Sequence, residues 1–180
     1  SKFSSYNRDS DIESGWEHNE SLSEAVIRRD FNKLIEEEEQ VDPSKTLVFS
    51  FGKFNPPTIG HLKLAKTMAN CNETSNKPVI YLSHRYGIDK KDIPKSQPLD
   101  YEEKLYWCKK AFGNLVDVVK SNAITAWEAL HDIQQKYPHI TRIIFAGGDD
   151  RAEGGMYKNL VTSNNSKTSK EKDFYNFPDG

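Results

Sequence analysis

Thr46-Leu-Val-Phe-Ser-Phe-Gly-Lys-Phe-Asn-Pro-Pro-Thr-Ile-Gly-His61 is the stretch on which the fold turns. Thr46 to Phe51 is a short apolar run of the kind a strand buried on both faces requires. Gly52 lets the backbone leave that strand tightly, with no side chain to obstruct a ligand. Two prolines then stiffen the entry into a helix spanning Thr58 to Asn70, with Ile59, Leu62, Leu64, Ala65, Met68 and Ala69 at helical spacing. Thr58 is placed to cap that helix, and His61 lies one turn in, beside the amides and positive dipole end of its first turn. A hydroxyl, an imidazole and a helix N-terminus above a strand tip make a phosphate site. The same residues also fit a capping threonine, a surface histidine and a glycine, Gly60, chosen for close helix packing.

The rest of the chain repeats the alternation. Lys77 to Ser83 reads as a second strand, Leu115 to Val119 as a third and Thr141 to Ala146 as a fourth. Between them, Asp100 opens a helix, Glu103 completes a capping box, and Leu105, Cys108 and Phe112 form the inner face. Ala123 to Tyr137 is expected to be a further helix, with Trp127, Leu130 and Ile133 inward. Apolar strands separated by helices imply an α/β fold, a parallel sheet of four to five strands covered by helices on both faces. Ligands in such folds sit at the carboxyl ends of the strands, where the strand order reverses.

Charge divides the 180 residues unevenly. Residues 1–45 hold 6 Lys+Arg against 12 Asp+Glu, and 46–180 hold 19 against 15. The sequence therefore reads as an acidic N-terminal extension, 1–45, and a domain, 46–180. Within the extension, Leu22, Val26, Ile27, Phe31, Leu34 and Ile35 form one amphipathic helical stripe, suited to docking on a protein partner or on the domain itself. Basic residues are dispersed along the chain, so no nucleic-acid partner is expected. No apolar run approaches the roughly 18 residues of a membrane span, and two cysteines make no disulfide framework. A cytoplasmic setting is expected.

Gly52 to His61 resembles the (H/T)xGH motif of the nucleotidylyltransferase superfamily. The Phe54-Asn-Pro-Pro form is most similar to nicotinate-nucleotide adenylyltransferases and to small nucleotidyltransferases of tailed bacteriophages. The resemblance covers about residues 46 to 150. It implies a Rossmann-like domain that transfers a nucleoside monophosphate from ATP or CTP to a phosphorylated small-molecule acceptor, with release of pyrophosphate. It also implies catalytic roles for His61 and Thr58, and nucleotide contacts for Gly52, Lys53, Phe54 and Gly60. Gly147-Gly-Asp-Asp-Arg151 is similar to the family's GxD segment after the fourth strand, which adds Gly147, Asp149 and Arg151. Arg85 and Lys91, after the second strand, stand where family members place a phosphate-neutralising base. Mg²⁺ is expected to arrive with the triphosphate, and no metal cage built by the protein is expected.

One element of the family pattern has no match. An ISSTxxR-like helix start normally binds the β and γ phosphates, and nothing after Arg151 fits it. Lys167-Thr-Ser-Lys170 is similar to the KMSKS loop of class I tRNA synthetases, but Ser163 to Lys172 reads as a polar insertion with no apolar helix leading in. The C-terminal part of the domain is thus expected to be incomplete, and catalytic activity is left open. The rival reading is an inactive nucleotidyltransferase-fold protein acting as a structural or assembly component, in a phage setting a part of the virion.

Overall fold

The computed structural model of the chain describes residues 41–84, 98–148, 155–166 and 171–180. Residues 1–40 of the acidic extension, with the apolar stripe, lie outside them, as do Arg85, Lys91, Asp149, Asp150, Arg151 and residues 167–170. Within the described part the fold is α/β, with a four-stranded parallel sheet. Among the described residues no helix is long and apolar enough to cross a membrane.

All seven residues of β1 (Thr46–Gly52) are buried, as are all four of β2 (Val79–Leu82). These are the central strands of the order β3-β2-β1-β4, and only strands covered on both faces can be apolar at every position. The outer strands, β3 (Asp117–Val119) and β4 (Arg142–Phe145), are only partly covered. β1 pairs with β2 from Phe49 to Gly52, but its pairing with β4 runs from Thr46 and stops at Phe49. The last residues of β1 therefore run past the end of β4.

Alternate residues of β1 build two cores. Leu47, Phe49 and Phe51 face α3 (Ala126–Lys136) and α4 (Met156–Ser163), meeting Ala126, Leu130, Ile133 and Leu160. Val48 faces α1 (Ile59–Ala69) and α2 (Tyr101–Phe112), in a cluster with Ala65, Met68, Leu105, Cys108 and Phe112. Fully burying each large apolar side chain contributes about 1.5–3 kcal/mol, so both faces stabilise the sheet. A polar atom that enters the core is met at Tyr81. The Tyr81 hydroxyl donates to Asp132 Oδ2 at 2.7 Å.

Caps set the helix boundaries. At α2 the Glu103 amide donates to Asp100 Oδ1 at 2.9 Å and the Asp100 amide to Glu103 Oε2 at 3.1 Å, the reciprocal box expected from the sequence. α3 starts later than Ala123, because Thr125 is extended and caps it through the Glu128 amide. β3 starts later than Leu115, because the Leu115 and Val116 amides still donate to Phe112 O at the end of α2. In α1, Ala65 and Met68 are buried as expected, but Ile59 is 76% exposed and Ala69 is exposed. The helix start projects beyond the strand tips, where there is no sheet to pack against.

The chain on either side of the stretch read as a polar insertion, Ser163 to Lys172, is packed against the sheet. α4 does lead into it, and Leu160, Tyr175 and Phe177 are buried in the first core. Asn164 fixes the turn with two bonds to the backbone of Phe177, at 2.8 and 2.9 Å. Asp179 N–H then donates to Thr141 O, and Gly180 O accepts from Ile143 N–H, along the outer edge of β4.

Lys104, a charged residue on α2, is 1% exposed. Its Nζ donates to Ser83 O at 2.7 Å and lies 5.5 Å from the Tyr101 ring centre. Burial pushes its pKa down from 10.5 to about 8. Between those values the unfolded chain binds more protons, so stability rises with pH. Burial also pushes the Cys108 thiol up to about 12, which opposes the rise above pH 9, where an unfolded thiol releases its proton. Melting temperature should therefore climb between pH 8 and 9 in the native chain and stay level there in Lys104→Met. An equal climb in both, followed by circular dichroism, would remove Lys104 as its source.

Candidate functional site

A cleft of about 500 Å³ opens where β1 overruns β4. It is lined by Ser50 to Asn55 from the end of β1 and its loop, Gly60, His61 and Leu64 from α1, and Gly147 and Gly148 after β4. The crossover through α1 leads from β1 to β2 on one side of the sheet, whereas β4 pairs with β1 on the other. The cleft thus occupies the switch point at the carboxyl ends of the strands.

The loop that forms its near wall is held from several sides. Phe54 has φ +46, a left-handed conformation that costs a non-glycine residue on the order of 1 kcal/mol. In return its ring is buried, 4.6 Å from the His61 ring and 6.1 Å from Phe112. Phe54 O accepts from Cys108 Sγ at 3.7 Å. Asn55 then clasps the segment ahead of α2. Its Nδ2 donates to Leu99 O at 2.7 Å, and its Oδ1 accepts from Leu99 N–H at 3.0 Å.

Thr58 and His61 form a capping box in which the histidine takes the place usually held by a glutamate. Thr58 N–H donates to His61 Nδ1 at 3.0 Å, the two side chains meet at 3.0 Å, and His61 N–H donates to Thr58 Oγ1 at 3.4 Å. Because Nδ1 accepts a backbone proton, the neutral ring carries its own proton on Nε2. His61 is thereby presented as an oriented N–H donor. Thr58 caps the helix, as its place in the sequence suggests. Its hydroxyl is engaged in the cap, and it does not line the cleft.

Gly52, Lys53, Phe54, Gly60, His61 and Gly147 are brought together around this one cleft. Asp149, Arg151, Arg85 and Lys91 lie outside the described residues. Gly52 O accepts from Ser83 N–H at 2.7 Å, which fixes the strand tip. Of the aromatic residues on α2, Tyr101 is buried and accepts from Ser121 N–H at 3.0 Å, whereas Tyr106 and Trp107 are about half exposed, Trp107 lining a shallow groove with Pro56, Pro57 and Leu99. His131 is tied to Phe174 O at 2.6 Å. Sequence reasoning passed over Ser50, Asn55 and Leu64. Only Ser50 left a signal, as the one polar residue between Leu47 and Phe51.

Among the described residues no three His, Cys, Asp or Glu side chains cluster as metal ligands, and the described lining carries no carboxylate. A divalent cation would meet only neutral and cationic groups from these residues. The chemistry on offer is anion recognition, by the dipole of α1, the His61 N–H and Lys53. Compared with family models, with curated proteins and with solved structures, the chain matches none.

Close packing does not account for Gly60. A Cβ built there meets nothing nearer than Thr58 Oγ1 at 3.6 Å, an ordinary contact. What the missing side chain preserves is space in the cleft. Gly60→Ala should therefore leave the melting temperature unchanged or raise it, since alanine favours the helix by about 0.5–1 kcal/mol. It should also weaken binding of inorganic pyrophosphate, measured by titration calorimetry. A drop of several degrees in melting temperature would mean that the glycine serves the fold.

Proposed function

We propose that the chain is a nucleotidyltransferase that moves a nucleoside monophosphate from ATP or CTP to a phosphorylated small molecule. The observation that carries this reading is the open cleft at the β1/β4 switch point, where Gly60 and the His61 ring stand beside Gly147 and Gly148. An oxygen of the acceptor phosphate attacks the α-phosphorus in line. The bond to the bridging oxygen of the β-phosphate breaks, and pyrophosphate leaves. No covalent enzyme intermediate is needed, so the protein contributes position and charge stabilisation. His61 donates its N–H to the α-phosphate or the leaving oxygen as negative charge develops. The N-terminus of α1 and Lys53 hold the phosphate chain. Thr58 acts one step back, keeping the imidazole in its donor tautomer. Mg²⁺, bound through the triphosphate, supplies additional charge neutralisation.

The second reading, an assembly module that keeps the fold without the reaction, draws on a different feature. Tyr157 and Val161 of α4 are more than half exposed beside an apolar cavity of about 250 Å³. Such a surface suits a protein partner, in a virion or elsewhere.

A melt with Mg–ATP and Mg–CTP separates the two. Ligand at about 100 times its dissociation constant stabilises by about 2.7 kcal/mol, a shift of several degrees. In a screen of phosphorylated acceptors for pyrophosphate release, His61→Ala should lower kcat/KM by about 100-fold or more. It should still fold, because the His61 backbone N–H remains available to Thr58 Oγ1. No shift with either nucleotide would favour the assembly module, and full turnover without the imidazole would remove His61 from the mechanism.

A further inference from the structure

The described chain buries four polar residues, Thr46, Ser50, Ser83 and Lys104. Three use their side chains on backbone carbonyls. Thr46 Oγ1 donates to Asp42 O at 3.1 Å, Ser83 Oγ approaches Ile124 O at 3.4 Å, and Lys104 Nζ donates to Ser83 O at 2.7 Å. Ser50 is different. It is 1% exposed, and its hydroxyl has no hydrogen-bond partner among the described residues. Among the described residues the fully enclosed hydroxyl without a partner is Thr141 Oγ1, so the Ser50 hydroxyl has something to bond in the cleft that it lines.

Its position says what that is. Ser50 shares the face of β1 with Val48, the face covered by α1 and α2. It is the first residue of β1 beyond the pairing with β4, and it lines the cleft with Gly60 and Leu64. Above it stands the start of α1. There the His61 amide is capped by Thr58 Oγ1 and the Leu62 amide by Thr58 O, while the amides of Ile59 and Gly60 have no acceptor among the described residues. A serine donor and a helix N-terminus thus open on the same space, one from its floor and one from its rim.

We propose that Ser50 is a ligand-contacting residue whose hydroxyl donates to a phosphate oxygen bound at the start of α1, so that the ligand reaches below the strand tips to the level of the sheet. The proposal rests on the nucleotide reading of the cleft and adds to it a contact on the strand itself. Apolar neighbours make that contact strong, because a hydrogen bond to a charged oxygen gains from a low local dielectric.

Ser50→Ala tests it, with Mg–ATP, Mg–CTP and ribose 5-phosphate as calorimetric probes. Affinity should fall about 10-fold or more for the probe whose phosphate the hydroxyl holds, as expected when a hydrogen bond to a charged group is lost. Loss confined to the triphosphates assigns Ser50 to the transferred nucleotide, and loss confined to ribose 5-phosphate assigns it to the acceptor. The unligated variant should melt at about the same temperature as the native chain, since no side-chain hydrogen bond among the described residues is lost. Unchanged affinity for every probe the native chain binds overturns the role of Ser50 and leaves the nucleotide reading standing. A variant that melts several degrees lower and binds normally assigns the hydroxyl to the fold. If the native chain binds none of the three, both readings fall.

Discussion

The offset between β1 and its two neighbours governs the rest of the structure. β1 is buried along its full length and hydrogen-bonded to β2 up to Gly52, but its pairing with β4 ends at Phe49. A flush sheet would have closed the gap with a strand. Instead the chain after Ala146 diverges and leaves a cleft between two glycine-bearing turns. Burial on both faces makes β1 rigid, and pairing through Gly52 fixes the height of the loop that follows. The site is therefore held by the most stable part of the sheet, with its polar groups supplied by the loop and by the first turn of α1.

That first turn combines two demands on the same atoms. The Thr58 hydroxyl and His61 Nδ1 satisfy each other and the amides of the cap, which is a stability device of about 1 kcal/mol. The same bonds set the histidine tautomer and restrict the ring, which is packed against Phe54. Orientation of the donor thus draws on the helix cap itself. The left-handed backbone at Phe54 belongs to this arrangement, because it turns the aromatic ring inward beneath the imidazole while the loop continues outward to Lys53 and Asn55.

Much of this was readable in the sequence wherever local chemistry decides the outcome. Strands buried on both faces carry apolar runs, so Thr46 to Phe51 and Lys77 to Ser83 were legible as strands, the second forming only over Val79–Leu82, and the Asp100/Glu103 box marked the start of its helix. The C-terminal part was not readable, because Leu160-Val161 and Phe174-Tyr-Asn-Phe177 are short apolar patches in a polar stretch, and Leu160, Tyr175 and Phe177 enter the core only through tertiary packing. Nor does charge alone reveal burial, so nothing in the sequence marks Lys104 as a core residue. The motif loop was legible as a group, but the division of work within it was not. Spacing places Thr58 at the cap and His61 on the same turn, and only geometry shows that His61 Nδ1 closes the cap from the other side. Asn55 gave no sign of its partner, because Leu99 lies 44 residues away.

Two cavities compete as the place where a ligand would bind, the cleft above β1 and the apolar cavity between β4, α4 and the C-terminal segment. Titrating Mg–ATP into isotopically labelled protein, with backbone amide resonances followed by NMR, chooses between them directly. Progressive shifts should gather at Gly52, Lys53, Ile59, Gly60, His61, Gly147 and Gly148, with little change at Leu160, Tyr175 and Phe177. Shifts centred on the second group, or none at saturating nucleotide, would contradict an anion site at the overrun of β1.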